Sequence, residues 1–197
     1  MDFQDVVRLR RMVRNFEPRP VDPAVVERIL DNGLRAPSAG HTQGWAFLVL
    51  DTPERTARFW DASFADADAR RAFRWQGLFD VPLLVVVLSH KRAYLDRYAE
   101  PDKGWTDRDE SRWPVPYWHV DTGFAALLML LTAVDAGLGA LFFGVFEVDR
   151  FRQAFGVPDA YVPVGVVAAG HALPDEPSPS LRRGRRPRED VVHRGAW

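Results

Sequence analysis

The sequence predicts an α+β fold, in which a sheet is layered with long helices, rather than a repeated βαβ array. Short continuous apolar runs of strand length are separated by longer stretches with helical apolar spacing, and no internal repeat is visible. A chain of 197 residues with 47% apolar residues can bury one substantial core. We therefore expect a single domain that spans 1–197.

Helices are predicted where apolar residues recur with helical spacing behind a capping residue. Asp22 and Pro23 mark the clearest start, because aspartate caps helices and proline is tolerated in the first turn. The run from Tyr117 is almost wholly apolar, which predicts a long helix buried in the core or in a subunit interface. The predicted helices cover 2–11, 23–34, a segment that begins at Thr52, 68–78, 117–136 and 148–155.

Strands are predicted from apolar runs too short for a helix, at 46–50, 81–88, 140–146 and 162–169. The apolar region from Gly123 to Phe146 is the only candidate for a membrane span. Asp135 interrupts this region and Gly137 follows, a pattern typical of a buried helix that ends at a glycine. We therefore expect a soluble protein.

Two segments depart from this regular pattern. Residues 89–116 mix charges with aromatic side chains, which favours an ordered lid or binding loop over disorder. From 174 onward, prolines lead into an arginine-rich run, which predicts an extended C-terminal arm over 174–197. Basic tails of this kind are often solvated or bind nucleic acid. The apolar pair Val191-Val192 and the terminal Trp197 instead favour docking on a neighbouring subunit.

Composition excludes several classes of function. The 26 Lys and Arg residues balance 27 Asp and Glu residues, so the net charge of −1 favours neither nucleic acid nor an anionic membrane as partner. The chain has no cysteine, which removes disulfides, thiolate metal ligands and a cysteine nucleophile. Its acidic start lacks the apolar core of a secretory signal, so we expect a cytoplasmic protein.

The remaining candidate residues predict neither a metal site nor a catalytic side chain. The histidines are scattered, without a metal-binding pair, and no nucleophile elbow is present. We expect His119 and Asp121, near the start of the long helix, to be capping residues. The glycine-rich run 137–144 is no dinucleotide fingerprint, because Phe142 stands where the third glycine would fall.

The strongest motif is Arg10-Arg11-Met12-Val13-Arg14-Asn15-Phe16, which places three guanidinium groups within a few residues. Forked arginine donors match phosphate oxygens well, so an anion such as phosphate is the expected partner. Without an anion or carboxylates nearby, these groups would repel one another. The alternative is a set of surface salt bridges of little value with Asp5, Glu17, Glu189 or Asp190.

The second motif is Ala36-Pro37-Ser38-Ala39-Gly40-His41-Thr42-Gln43-Gly44-Trp45, a loop of small and turn-prone residues. Its backbone N–H groups and the Gln43 amide could approach a planar heterocycle, so the two motifs together indicate a mononucleotide site. The alternative is an ordinary helix-to-strand connection whose Trp45 packs in the core. His41 is then a solvent-facing loop histidine, or else a titrating group near a substrate.

This pair of motifs resembles the signature of the FMN-dependent nitroreductase family, in which Arg-Arg-Ser-x-Arg-x-Phe precedes a helix and an Ala-Pro-Ser-x-x-x-x-Gln-x-Trp loop. The resemblance implies a central, mainly antiparallel sheet flanked by helices, FMN as cofactor, and a homodimer with two sites across its interface. The sequence departs from the family pattern at Met12, where serine is usual, at His41, where asparagine is usual, and at Gly44, where proline is common.

The resemblance also implies roles for individual residues. The FMN phosphate would be held by Arg10, Arg11, Met12 and Arg14, together with Arg185 and Arg186 from the arm. The ring would be contacted by Pro37, Ser38, Ala39 and Gln43, and by the backbone at Phe143 and Gly144. We expect the substrate to be selected by the aromatic side chains Tyr94, Trp105, Trp113 and Trp118, with His41 nearby.

The function expected from the resemblance is reduction of nitroaromatics, quinones or related conjugated acceptors by NAD(P)H in a ping-pong mechanism. The lack of an obvious catalytic side chain fits a flavin enzyme, because the cofactor performs the difficult chemistry. One alternative is a flavin-dependent dehydrogenase or oxidase of a natural product. Another is a non-catalytic flavin or nucleic-acid binder that uses the arginine-rich arm.

Overall fold

The computed structural model describes the whole chain from Met1 to Trp197. It confirms the predicted α+β class. In chain order, the helices and strands are α1 (Phe3–Leu9), α2 (Pro23–Leu34), β1 (Trp45–Leu50), α3 (Pro53–Ala62), α4 (Ala67–Ala72), β2 (Leu83–Ser89), α5 (Lys91–Tyr98), α6 (Tyr117–Asp135), β3 (Gly139–Phe143), α7 (Val148–Phe155) and β4 (Val162–Gly170).

The four strands form one antiparallel sheet in the order β1-β2-β4-β3. In the register of the central strands, Val85 lies opposite Val49 on one side and opposite Val167 on the other. Beyond β3, Met12 forms an isolated parallel bridge with Ala140, so the chain after α1 lies along this edge. β1 and the Met12 segment therefore occupy opposite edges of the sheet.

The sheet lies between two helical layers, and strand alternation decides which layer each residue faces. From β2, Leu83, Val85 and Val87 pack in a core with α2 and α6. Their neighbours Leu84 and Val86 pack in a second core with α3 and α7. Because both faces of β2 are buried, its sequence is a continuous apolar run without polar alternation.

Helix α6 is long and apolar enough to cross a membrane by length and composition, but more than half of it is buried inside the protein. It packs against α2 and the sheet, and Met129 and Ala133 are fully buried there. This is the position of a core helix, as predicted from its interruption at Asp135.

Two predicted helices end early. The first was predicted over 2–11 but ends at Leu9, because Arg10 leaves the helical conformation with a ψ angle of 115°. Arg10 and Arg14 therefore do not lie one helical turn apart. The expected helix over 68–78 is present but too long. It ends at Ala72, because Phe73 turns into an aromatic cluster with Phe64 and Phe79 that competes with helix continuation.

Two other boundaries also differ from prediction. The segment 89–116, expected to be irregular, contains α5, which buries only Tyr94 and so has too narrow an apolar stripe to show helical spacing. β3 ends at Phe143 instead of 146, because Phe146 turns away to pack on Phe143 and Phe73, with ring centroids 5.9 and 5.7 Å apart.

The arm leaves the domain after β4. Asn15 anchors its start, accepting the backbone N–H of Leu173 at 3.0 Å and donating its amide to the carbonyl oxygen of Pro174 at 2.7 Å. Every residue from Leu181 to Trp197 is exposed. All hydrogen bonds in this last part of the arm stay within the arm.

Candidate functional site

The arginine motif continues beyond α1 as an extended segment beside β3. Val13 donates its backbone N–H to the carbonyl oxygen of Ala140 at 3.0 Å, and Glu17 donates in the same way to His171 at 2.9 Å. These bonds attach the segment to β3 and to the residue that follows β4. The arginine side chains therefore lie beside the edge of β3.

None of the arginines predicted to bind phosphate forms an ion pair with a carboxylate, although ion pairs are common elsewhere on this surface. These residues are Arg10, Arg11, Arg14, Arg185 and Arg186. The nearest acidic side chains in sequence are already paired, Asp5 with Arg8 and Glu17 with Arg19. The alternative explanation of the motif as a set of salt bridges is therefore wrong for this structure.

Arg10 has a buried side-chain donor that no protein group satisfies. Its Nη1 atom is buried and has no hydrogen-bond acceptor in the protein. A buried donor left without an acceptor costs about 1–3 kcal/mol, and a charged donor costs more. Phosphate oxygens match the donor geometry of a guanidinium group. The residues present therefore fit a phosphorylated ligand at this edge.

Arg14 is held in place by its surroundings. Its Nη1 donates to the carbonyl oxygen of Met12 at 3.0 Å, and its guanidinium carbon lies 5.0 Å from the centre of the Trp75 ring. Its backbone N–H donates to the carboxylate of Asp175 at 2.7 Å. The side chain keeps further donors for a ligand. Met12 thus helps to orient Arg14 through its backbone carbonyl group.

The loop 35–44 connects α2 to β1, contains all but the last residue of the predicted motif 36–45, and has a constrained backbone. Gly40, His41 and Gln43 have positive φ angles of 62°, 54° and 53°. Residues other than glycine rarely adopt this conformation, and such positions cluster at ligand sites. The hydroxyl oxygen of Ser38 accepts the N–H of Gln43 at 3.0 Å and so holds the turn closed.

Most backbone donors of this loop are already used inside the protein. The N–H of Ala39 donates to Asp121 at 2.8 Å, and the N–H of His41 donates to the carbonyl oxygen of Ser38 at 3.0 Å. Ser38 and Gly40 make no such bond with their own N–H groups. Of the predicted ring contacts, only Ser38 therefore keeps a free backbone donor, with that of Gly40 close by in the chain, whereas Ala39 directs its N–H inward.

The side chains of His41 and Gln43 contact each other at the surface. Their Nε2 atoms are 3.0 Å apart. The two side chains are therefore within hydrogen-bonding distance, and the tautomer of His41 sets which of them donates. Trp45 is half-buried and lines a groove between α2 and β1 with a volume of about 450 Å³. It is therefore not fully packed in the core.

Asp121 is a residue of the site that the sequence reasoning missed. We expected it to cap α6, but that helix begins after Pro116 without a side-chain cap. Asp121 is instead only 2% exposed, and its Oδ2 accepts hydrogen bonds from the N–H of Ala39 and the hydroxyl of Tyr94, both at 2.8 Å. A carboxylate near the start of a mostly apolar helix was the available signal.

His119 does not cap α6 either. Its Nδ1 lies 2.9 Å from the hydroxyl oxygen of the buried Ser89. Burial of the ring, and to a lesser extent the charge of Lys91, lowers the pKa of His119 below its ordinary value. We therefore assign His119 to the packing beneath the site.

The predicted substrate-selecting aromatics form one ordered cluster around Trp113. Tyr94, Tyr98, Trp105 and Trp118 have ring centroids between 4.6 and 6.1 Å from that of Trp113. Tyr94 and Trp118 are buried, which leaves them little surface for the direct substrate contact that we expected. Burial, followed by the hydrogen bond to Asp121, raises the pKa of Tyr94 above its ordinary value.

The far end of β3 contains the predicted backbone donors. Because Ala140 pairs outward with the arginine motif, strand alternation directs the backbone groups of Phe142 outward and those of Phe143 toward β4. The outward donor at this end of the strand thus belongs to Phe142, the neighbour of Phe143. Gly144 is exposed, with open space where a side chain would stand, so a planar ligand can approach it closely.

The single chain separates the predicted parts of the site. The arginine motif and Gly144 lie along the β3 edge, whereas the loop 35–44 leads into β1 at the opposite edge. Four steps between neighbouring strands separate these edges, roughly 19 Å at ordinary strand spacing. Arg185 and Arg186 are exposed in the arm, and Arg186 bonds only to the carbonyl oxygen of Asp190. Their approach to Arg10 remains a prediction.

The fold and these features define an α+β protein with a set of arginines without carboxylate partners beside a sheet edge. Residues 7–171 match the model of the Nitroreductase family. The chain therefore belongs to the nitroreductase family, as its two motifs predicted. The matched region contains the arginine motif, the loop and the whole sheet, and the arm lies beyond it.

Individual relatives agree with this assignment. The chain is 26% identical over 198 residues to a protein named NADH dehydrogenase from Thermus thermophilus, covering 92% of each chain. The fold is shared by a protein from Exiguobacterium sibiricum solved in complex with FMN, with a TM-score of 0.72 at 24% identity over 98% of this chain and 97% of that one. A nitroreductase family protein from Streptococcus pneumoniae has a TM-score of 0.75 at 16% identity, over 98% of this chain and 100% of its own.

Proposed function

We propose that this protein is an FMN-dependent oxidoreductase that uses NAD(P)H to reduce nitroaromatics, quinones or related conjugated acceptors. The observation that supports it most strongly is the buried, unpartnered Nη1 of Arg10 within a motif of arginines that lack carboxylate partners. Family membership supports an oxidoreductase, and the FMN-bound neighbour has the same fold.

In this proposal, the residues divide into a phosphate group and a ring group. Arg10 and Arg14 hold the phosphate, because their free guanidinium donors make charge-assisted hydrogen bonds. The N–H groups of Ser38 and Gly40 orient the ring edge and stabilise negative charge there. Gly144 permits close approach of the ring to the backbone. Bound FMN would supply the redox chemistry, by accepting hydride from the nicotinamide and passing electrons to the second substrate.

The separation of these groups leads us to propose a homodimer. One chain would supply the β3 edge with its arginines, and the second chain would supply the loop 35–44, because a single chain holds them on opposite edges. Exposed apolar side chains on the packed helices α1 and α6 support such an interface, among them Phe3, Val7, Phe124 and Leu127. The exposed arm, with Arg185 and Arg186, would extend over the partner.

Nicotinamide and acceptor would use the same position in turn, which is the basis of a ping-pong mechanism. The relative named NADH dehydrogenase supports a reduced nicotinamide as donor. The half-buried Trp105 and Trp113, together with His41, are the residues that we propose for acceptor selection. We place the reaction in the cytoplasm, where reduced nicotinamide is supplied.

The direct test is the colour of the purified protein. We expect a yellow protein that bleaches when NADH or NADPH is added without oxygen and recovers its colour when a nitroaromatic is added. A chromophore released by heat should be identified as FMN. Colourless protein that is retained on DNA in a salt-dependent manner would instead support the nucleic-acid binder.

A further inference from the structure

The buried carboxylate of Asp121 joins three parts of the protein that are distant in sequence. Its Oδ2 lies 2.8 Å from the backbone nitrogen of Ala39 in the loop and 2.8 Å from the hydroxyl oxygen of Tyr94 in α5. No lysine, arginine or histidine forms an ion pair with it. A charge removed from water in this way depends on its neutral donors for compensation.

Helix α5 also supports the same loop from its outer side. Arg97 donates through Nε to the carbonyl oxygen of Gly40 at 2.9 Å. A Cβ atom on Gly40 would lie 2.8 Å from the ring of Tyr98, and one on Gly44 would lie 2.4 Å from the ring of Tyr94. The loop therefore rests directly on two tyrosine rings of α5.

The bond to Asp121 decides which donors the loop offers to a ligand. With the N–H of Ala39 directed inward, the groups of Ser38 and Gly40 are left free. Without Asp121, the loop would lose its inward attachment at Ala39. The positive φ angles at His41 and Gln43 would then be retained by fewer contacts.

We propose that Asp121 is a positioning residue that fixes the loop 35–44 for the flavin ring and ties its conformation to α5. The inference rests on the proposed function for the identity of the ligand. It adds that cofactor affinity depends on a carboxylate that does not touch the cofactor. The aromatic cluster around Trp113 includes Tyr94, which bonds to Asp121. The cluster would therefore influence the position of the flavin ring through Asp121 and the loop.

Three variants separate positioning from simple loss of stability. Asp121→Leu removes the acceptor for both donors, Asp121→Asn retains an acceptor oxygen, and Tyr94→Phe removes one donor while keeping the ring. Thr122→Val is the matched control, because its buried hydroxyl bonds only to the carbonyl oxygen of Trp118 in the same helix. All variants are made in the full-length protein.

The measurements are FMN affinity by titration and hydrogen exchange of the loop amides. We expect Asp121→Leu to weaken FMN binding about tenfold or more, Tyr94→Phe to weaken it less, and Asp121→Asn to retain most of the affinity. Exchange across residues 38–43 should accelerate about tenfold in Asp121→Leu and remain unchanged in Thr122→Val.

Two results would overturn the inference. One is wild-type exchange across 38–43 in both Asp121→Leu and Tyr94→Phe. The other is loss of FMN in all variants, including Thr122→Val, in proportion to their melting temperatures. If the wild-type protein takes up no FMN, the proposed function is wrong. Hydrogen exchange across 38–43 in the unliganded variants then decides whether Asp121 positions the loop. If Asp121→Leu does not fold, the same exchange measurement on Tyr94→Phe replaces it.

Discussion

The backbone N–H of Val13 bonds to the carbonyl oxygen of Ala140 at 3.0 Å, and this bond attaches the arginine motif to the outer edge of β3. The neighbouring Gly139 makes the attachment possible. A Cβ atom there would lie 2.9 Å from the Cβ of Ala172 and 3.1 Å from that of Val13. The position of the proposed phosphate site therefore depends on packing at the sheet edge.

Substitution of Gly139 should disturb the phosphate site through this packing. We expect Gly139→Ala to lower the free energy of unfolding by about 1–3 kcal/mol, because the added carbon overpacks the edge, and to weaken FMN binding.

The matched variant is Gly144→Ala, where a Cβ meets nothing in the protein. It should change stability by less than about 0.5 kcal/mol and yet weaken FMN binding. Chemical denaturation and FMN titration of both variants check this, and unchanged FMN affinity in Gly144→Ala would remove that residue from the ring site.

The separation of the arginine motif and the loop on opposite sheet edges predicts complementation between two defective chains. We expect Arg10→Ala and the loop variant Gly40→Val each to bind little FMN alone. In a refolded equimolar mixture, about half of the dimers contain one chain of each variant. In each mixed dimer, one of the two sites combines the intact arginines of one chain with the intact loop of the other. About a quarter of wild-type FMN binding should therefore return. A mixture that binds no more FMN than its components would show that each chain forms its site alone.

Removal of the arm should affect assembly and not the core. Residues from Leu181 onward are exposed and form hydrogen bonds only within the arm. We therefore expect truncation after Pro179 to leave the unfolding free energy of the monomeric domain unchanged within about 0.5 kcal/mol. FMN retention and dimer association should both weaken. Analytical ultracentrifugation with absorbance of bound flavin measures both, and a flavin-loaded dimer without the arm would exclude the arm from the site.

The lowered pKa of His119 predicts the direction of a pH effect on stability. As the pH falls, the ring takes up a proton in the unfolded chain at about pH 6.5, before it does so in the native protein. The neutral ring therefore contributes to the stability of the native protein above that pH, and this contribution declines as the pH falls below it. We expect His119→Gln to have a flatter profile of melting temperature between about pH 7.5 and pH 5.5. Parallel profiles for the variant and the wild-type protein would contradict the assignment.

The sequence predicts best the elements with strong local signals. Asp22 accepts the N–H of Ala24 at 2.8 Å and begins α2 as expected, and the predicted helix over 148–155 matches α7 at both ends. α5 was missed because a helix that buries one side chain has no visible apolar stripe. α4 was predicted too long because aromatic packing at Phe73 outweighs local helix preference.

The candidate site was predictable only in its contiguous parts. The arginine motif and the loop could be found because their residues are close in sequence and matched the family pattern. Asp121 was assigned the wrong role because its partners, Ala39 and Tyr94, are 82 and 27 residues away along the chain. The placement of the two motifs on opposite edges follows from strand order, which the apolar runs do not specify.

The central claim is that the arginines bind a monophosphate. Riboflavin tests it most directly, because it has the ring and side chain of FMN without the phosphate. We compare both ligands by fluorescence titration of flavin-free protein, using Arg10→Ala and the surface control Arg8→Ala. We expect wild-type protein and Arg8→Ala to bind FMN about 100-fold more tightly than riboflavin, and Arg10→Ala to lose most of this preference. Equal affinity of the wild-type protein for FMN and riboflavin, or no binding of either, would contradict the account.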